Sequence, residues 1–198
     1  MRAVDWCAGL GGMSEAMVAA GFETWAVDIE GHEPFPAGVR RVLHDIRTAD
    51  PFLTVPRADW DHCSPPCQRF SLARAGRVAD PTTEADLDIL KAFLRLRDAR
   101  QPTYWSVENV RGALKWFRPL LGEPTLRHGP YYFWGNLPAF LVERAGLRKG
   151  IYGSMSPRTR QLGRQTRRPA MVAAKLPGEL TRPMAQAVAS CILEAKHG

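Results

Sequence analysis

Nowhere does the 198-residue sequence approach the run of about 18 apolar residues that a membrane-spanning helix needs. Its start, MRAVDWCAGLGG, places Asp5 and a glycine cluster where a secretion signal would require an unbroken apolar stretch. A cytoplasmic protein with no membrane partner is therefore expected. Cysteine is scarce: Cys7, Cys63, Cys67 and Cys191 are the only four. Without a secretion signal they are expected as reduced thiols and not as a disulfide framework. No internal repeat and no low-complexity linker divides the chain.

What is present is ordinary globular material. Hydrophobic residues make up 45% and charged residues 24%, which excludes a disordered tail, a collagen-like fibre and an all-polar linker. The length suits one domain with one core. Lys and Arg number 27 against 20 Asp and Glu, a net charge of +7, and the surplus is unevenly placed. Residues 156–169 (SPRTRQLGRQTRRP) hold five arginines, Arg158, Arg160, Arg164, Arg167 and Arg168, and no acid. Such a loop is either a solvated surface or a contact for nucleic-acid phosphates, since counterion release rewards clustered arginine whatever the sequence bound.

Hydrophobic periodicity predicts a strand over 2–7, a glycine turn, and a helix over 13–20 that stops at Gly21. Further strands are expected at 22–27, 41–44 and 58–62. A long helix is expected over 81–100, with Thr82 or Thr83 as cap, acids in its early turns, bases towards its end and Pro102 beyond it. Another strand follows at 103–107. Alternation of strand and helix with short glycine or proline joints predicts an α/β fold with a mostly parallel sheet and helices on both faces. After Gly112 the pattern loosens into a helix over 113–121, strands at 131–134 and 139–142, the arginine loop, and a last helix over 181–195.

Three places carry chemistry. Gly9, Gly11 and Gly12 follow the first strand and open the first helix, so the backbone there offers either a close approach to a nucleoside or only a tight turn. Asp28 and Asp45 end the next two strands, where a carboxylate can meet ribose hydroxyls or an adenine edge, or merely cap a strand. The sharpest signal is His62-Cys63-Ser64-Pro65-Pro66-Cys67-Gln68-Arg69-Phe70-Ser71. Two prolines leave that loop few conformations, so the Cys67 sulfur is aimed before substrate arrives, and Arg69 is a candidate for lowering its pKa. His62, Cys63 and Cys67 lack a second ligand pair, so no metal site is expected. Glu108-Asn109-Val110 ends the fifth strand at the same sheet edge, where a thiol and a carboxylate can act as nucleophile and proton donor.

The ordered set DWCAGLGG, Asp28, Asp45, SPPCQRFS and VENVRG resembles the cytosine-carbon-5 DNA methyltransferases. The resemblance covers residues 1 to about 112. It implies a Rossmann-like class I S-adenosylmethionine-dependent methyltransferase fold. It also implies base flipping and a covalent adduct of Cys67 at cytosine carbon 6, with Glu108 at ring nitrogen 3 and S-adenosylmethionine as cofactor. Carried over by position, the cofactor-binding set is Asp5, Trp6, Gly9, Gly11, Gly12, Asp28, Ile29, Asp45, Ile46 and Pro65. Gln68, Ser71, Asn109, Arg164 and Arg167 are expected to contact the substrate. The helix led in by Gly178-Glu179-Leu180 is similar to the segment with which the family returns to its cofactor pocket.

Departures are equally clear. A large target-recognition region is missing, so 113–177 is expected as an irregular, basic, reduced version of it within a single catalytic domain spanning 1–198. The family's Gln-x-Arg-x-Arg element has only partial matches, and Arg158 and Arg160 are taken for its catalytic arginines. The aromatics of HGPYYFWGNLP, residues 128–138, either stack on bases or pack in the core, the latter being favoured. The compact layout resembles bacteriophage methylases, which implies a monomer acting on double-stranded DNA in a bacterial or phage-infected cell. RNA as substrate, a catalytically silent DNA-binding relative and a modified methyl donor are the alternatives.

Overall fold

The computed structural model describes residues 1–68, 70, 87–138 and 176–197. In the first strand, β1 (Arg2–Trp6), alternate side chains enter different cores: Val4 and Trp6 on one face, Ala3 on the other. This is the signature of a central strand covered by helices on both sides. Six more strands complete the sheet: β2 (Glu23–Asp28), β3 (Val39–Leu43), β4 (Trp60–Cys63), β5 (Tyr104–Val110), β6 (Leu126–His128) and β7 (Tyr131–Gly135). Their order is β3-β2-β1-β4-β5-β7-β6. β1 to β5 run parallel, while β7 is antiparallel to both β5 and β6.

Among the described residues four helices cover the sheet: α1 (Gly12–Ala19), α2 (Asp88–Arg100), α3 (Leu114–Leu121) and α4 (Gly178–His197). Leu90, Phe93 and Leu96 of α2 and Phe117 of α3 join Val4, Trp6, Val27, Val107 and Trp134 in one core. Met13, Ala16 and Met17 of α1 meet Leu180, Met184 and Val188 of α4 over Ala3, Trp60 and Phe133 in the other. α4 is stitched to α1 at its start, where the Thr181 hydroxyl lies 3.4 Å from the Gly12 carbonyl.

Among the described residues, the strands and helices read from periodicity are found within a few residues of their expected bounds, with two differences. α2 begins at Asp88, and the 81–86 portion of the expected helix, with its caps Thr82 and Thr83, lies outside the described residues. β5 runs on to Val110, because its last residues pair with Tyr131, Tyr132 and Phe133 of β7. β6 has no counterpart in the sequence reading: its three residues are too short for a periodic signal and are held by pairing with β7. Tyr132, Phe133 and Trp134 are buried, so the aromatic segment packs in the core. The strand expected at 139–142 lies outside the described residues.

One buried ion pair ties the layers below the carboxyl ends of the strands. Arg100, the last residue of α2, donates to Asp61 of β4 from Nε (2.6 Å) and Nη2 (3.1 Å). Its other N–H groups reach the carbonyls of Pro51 (2.7 Å), Val55 (3.2 Å) and Pro56 (2.9 Å). All five guanidinium donors are thereby used.

Candidate active site

The carboxyl ends of β1, β2, β4 and β5 meet at one edge, and the loops leaving them build the site. After β1 the chain turns sharply. Cys7 takes φ 59° and Gly9 and Gly11 take 53° and 71°. The N–H groups of Cys7 and Ala8 both donate to the Val27 carbonyl (2.8 and 3.2 Å), which pins the turn across the end of β2. Gly11 caps α1 in the left-handed conformation, without a side-chain hydrogen bond. A Cβ there would stand 2.8 Å from Pro36 Cδ, so the loop after β2 demands glycine by close approach. A Cβ at Gly9 would meet nothing within 4 Å, so Gly9 borders open space.

Asp28 stands at the end of β2 beside that space. Its Oδ2 accepts the Gly9 N–H (2.9 Å) and its Oδ1 the Glu30 N–H (3.1 Å), leaving lone pairs for a hydroxyl donor. Ile29 and Leu43, each 64% exposed, offer apolar surface at the ends of β2 and β3. Asp45 follows β3 and is held by Arg47, whose backbone N–H (2.9 Å) and guanidinium (Nη2 at 2.6 Å) bind it and keep its carboxyl below the usual range. Open backbone at Gly9, a carboxylate and exposed aliphatic carbons suit a nucleoside with a ribose and a flat base.

Asp5, Trp6 and Ile46 point elsewhere. Asp5 is buried and accepts both the N–H (2.9 Å) and the hydroxyl (2.6 Å) of Ser14, fixing the first turn of α1. Burial lifts its carboxyl to about 7 against those two bonds. The Trp6 ring is fully buried, with the Arg100 guanidinium 5.6 Å from its centroid, and Ile46 belongs to the core. What these three can offer a ligand is the position of their backbone.

The second half of the site is the loop after β4. Pro65 is buried, and its carbonyl accepts Nδ2 of Asn109 (2.9 Å), so β5 holds the Pro-Pro-Cys turn directly. Asn109 Oδ1 accepts the Val110 N–H (2.9 Å), which fixes the amide. Beyond the cysteine, Phe70 is buried with its ring 5.3 Å from that of Phe117. Cys67 is thus anchored on both sides and half-buried between them. Gln68 is exposed beside it.

Glu108 of β5 is buried within electrostatic reach of Cys67. Burial pushes its carboxyl up to about 8, with the polar Ser64 side chain pulling the other way. The Cys67 thiol is raised rather than lowered, first by burial and then by the Glu108 charge. Arg69, the cation expected to lower it, lies outside the described residues, as do Ser71, Arg158, Arg160, Arg164, Arg167 and Arg168. All four cysteines are free thiols.

Sequence reasoning missed what stands behind Glu108. His62 lies with Nδ1 2.7 Å from Ser106 Oγ and Nε2 3.0 Å from Ser64 Oγ, and the Trp60 indole donates to Ser106 Oγ (3.0 Å). Burial drives the imidazole down to about 3, so it is neutral. A signal was present: His62 and Ser64, like Ser106 and Glu108, are two apart and share a strand face. Only the register that pairs His62 with Ser106 brings the four together.

The model of the C-5 cytosine-specific DNA methylase family matches residues 1–117. Three solved structures are similar in fold. One is described as a DNA modification methyltransferase encoded within an E. coli prophage, at 21% identity and TM-score 0.46, covering 68% of this chain and 46% of that one. The second is a DNMT2 mutant from Spodoptera frugiperda, at 20% identity and TM-score 0.42, covering 68% and 49%. The third is the S. pombe Dnmt2 methyltransferase, at 20% identity and TM-score 0.43, covering 68% and 48%. The chain thus spans about half the length of these structures. A search of curated protein sequences found no match. The strand order with one reversed strand is that of the class I methyltransferase fold.

Proposed function

Since the chain belongs to the C-5 cytosine-specific DNA methylase family, we propose that it methylates carbon 5 of cytosine in DNA through a covalent adduct with Cys67. One observation carries the reading: the Asn109–Pro65 hydrogen bond joins the loop of Cys67 to the strand of Glu108, so nucleophile and acid are held as one unit.

The cofactor of this reading is S-adenosylmethionine, which supplies an electrophilic methyl group when bound. The backbone of Gly9, Gly11 and Gly12 lines its approach, Asp28 takes the ribose hydroxyls, Ile29 covers the base and Asp45 meets the adenine edge. Asp5, Trp6 and Ile46 hold that backbone in place from beneath, and Pro65 closes the side towards the substrate.

The target base leaves its stack to reach Cys67. The Cys67 sulfur bonds to carbon 6, the C5–C6 double bond opens, and the displaced electron density ends on nitrogen 3, where Glu108 delivers its proton. Carbon 5 is then nucleophilic and accepts the methyl group. Loss of the carbon-5 proton to water restores the double bond and expels the Cys67 sulfur as a thiolate, and nitrogen 3 returns its proton to Glu108. The competent pair is a protonated Glu108 with a Cys67 thiolate, one internal proton shift from the charged Glu108 and neutral thiol.

Gln68 and Ser71 flank the nucleophile towards the substrate, and Asn109 acts through the loop. Arg158 and Arg160 serve the base or its phosphates, and Arg164 and Arg167 the backbone, on the strength of the sequence alone. In this reading residues 1–198 are one catalytic domain working as a monomer on double-stranded DNA in the cytoplasm of a bacterial or phage-infected cell. Among the described residues no helix is long and apolar enough to cross a membrane.

The test is trapping. With S-adenosylmethionine and DNA carrying 5-fluorocytosine, the fluorine blocks the final proton loss, so the protein should stay attached to DNA on a denaturing gel. The adduct should vanish in Cys67→Ser. An adduct with fluorinated RNA alone would move the substrate to RNA, and none with either would overturn the reading.

A further inference from the structure

Directly beyond Glu108 the chain turns positive. Residues 109–122 (NVRGALKWFRPLLG) hold Arg111, Lys115 and Arg118 and no acid. A 3-10 turn, Arg111–Ala113, leads from the end of β5 into α3. Burial divides this segment into two faces. Ala113 and Phe117 enter the core, while Arg111, Lys115 and Arg118 are exposed at the four- and three-residue spacing of one helical stripe.

The inner face fixes where the stripe stands. The Phe117 ring lies 5.3 Å from that of Phe70, which follows Cys67 by three residues, so α3 supports the nucleophile loop. Arg111 follows the last residue of β5 and stands at the carboxyl edge of the sheet. The exposed cations therefore border the place where the Cys67 loop and the Glu108 strand meet.

Stability of the fold does not account for them. Arg118 is paired with Glu123 (Nε to Oε1 2.9 Å), whereas Arg111 and Lys115 have no carboxylate partner among the described residues. Lys115 lies only over the Trp116 ring, with Nζ 4.7 Å from its centroid. Both precede or open α3, where the helix dipole favours acids and its first turn holds none. Like charges one turn apart also repel. Exposed cations farther from the site, such as Arg40 and Arg182, have carboxylates at 2.8 and 3.4 Å. Arg57 and Arg127 lack one, but Arg57 stands before β4 at the opposite edge and Arg127 on the outermost strand, β6.

We propose that Arg111 and Lys115 are substrate-binding residues that hold phosphates of the DNA backbone beside the base drawn to Cys67. A polyanion complements two unpaired cations one helical turn apart, because each neutralised phosphate releases condensed counterions. Such a contact positions the duplex and reads no bases. The inference rests on the role given to Cys67 and Glu108 above.

The test compares two variants of the full chain that lose the same charge. One is Arg111→Gln with Lys115→Gln. The other, Arg2→Gln with Lys196→Gln, removes two exposed cations that pair with Glu23 and Asp59 at the opposite edge of the sheet. Binding to fluorescent double-stranded DNA of random sequence is followed by anisotropy over a range of salt concentrations. The α3 variant should bind about 10- to 100-fold more weakly at about 0.1 M salt, and its slope of log affinity against log salt should be shallower by about 1.8, two phosphate contacts at about 0.9 each. The control should keep the parent slope. An unchanged slope in the α3 variant, an equal change in both variants, or no binding of DNA by the parent would overturn the proposal.

Trapping with 5-fluorocytosine DNA separates binding from support of the nucleophile. In the α3 variant the loss should fall on the DNA concentration that gives half the maximal rate of adduct formation, and far less on the rate at saturation. A loss confined to the saturated rate would assign these residues to holding the Cys67 loop and overturn the proposal. Should the parent form no adduct while the salt slopes differ as stated, the methylation reading fails and the phosphate-binding face stands.

Discussion

Arg100 allows the most quantitative test of how the site is supported. The perturbation is Arg100→Met, which keeps most of the apolar stem and removes the guanidinium. Arg100 and Asp61 are 1% and 0% exposed, so the variant strands a carboxylate in the core together with three backbone carbonyls, those of Pro51, Val55 and Pro56. Breaking a buried pair from one side costs about 3–5 kcal/mol. The carbonyls sit in a loop that can partly relax towards water, which adds about 1 kcal/mol. The sum is a large part of the roughly 5–15 kcal/mol that stabilises a domain.

The pH dependence separates this account from simple loss of packing. Burial already pushes the Asp61 carboxyl up, against the bonds and charge of Arg100. Without the guanidinium it rises further. A folded-state pKa above the unfolded value means that the folded variant binds the extra proton, so its stability falls as pH rises towards that pKa. The deficit relative to the parent should therefore grow as pH rises above the ordinary carboxylate range, by up to about 1.4 kcal/mol per pH unit. Urea denaturation followed by tryptophan fluorescence at a series of pH values measures it. A second variant, Asp61→Leu with Arg100→Met, should recover most of the loss by removing the stranded charge. A deficit below about 1 kcal/mol, or one that does not change with pH, would refute the reasoning.

Three other outcomes are expected. The rate of adduct formation should rise with pH through about 8, as the pair of Glu108 and Cys67 loses its first proton, and fall at the higher pH where the thiol loses the second; a rate that declines steadily from pH 7 would contradict this order. Glu108→Gln should abolish adduct formation yet stabilise the fold at pH 9 relative to pH 6. The raised carboxyl favours the folded state only while protonated, and that contribution is lost between 4.5 and about 8, as paired urea titrations would reveal. Gly9→Ala should lose only about 1 kcal/mol of stability, from its φ, while weakening S-adenosylmethionine binding by calorimetry. Gly11→Ala should lose more stability, because its Cβ also meets Pro36, and equal thermal midpoints for the two would contradict the geometry.

Much of this was legible in the chain itself, because the signals are local. Glycines at 9, 11 and 12 specify a turn by backbone freedom, Pro65 and Pro66 stiffen the turn before Cys67, and apolar periodicity marks α1, α4 and the buried strands wherever they lie. Asp28 and Glu108 could be placed at strand ends for the same reason. The direction of a side chain from a strand covered on both faces could not be read in this way. Asp5 and Trp6 alternate as any strand residues do, and only the seating of α1 over one face and α2 over the other sends Asp5 to Ser14 and Trp6 under Arg100. β6 exists because β7 lies beside it.

The electrostatics of the site belong to tertiary structure altogether. A thiol expected to be lowered by a neighbouring cation is raised, since burial and the Glu108 charge come from β5, some forty residues away in sequence. The link from His62 to Ser106 spans 44 residues and depends on the pairing of β4 with β5; a slip of one residue would turn the side chains of one strand to the opposite face. The sequence by itself determined which groups could do chemistry and the order of the elements that bear them. Their distances, their burial and hence their protonation were decided by the packing of strands and helices distant in sequence, because desolvation and hydrogen bonding depend on what lies beside a group in space.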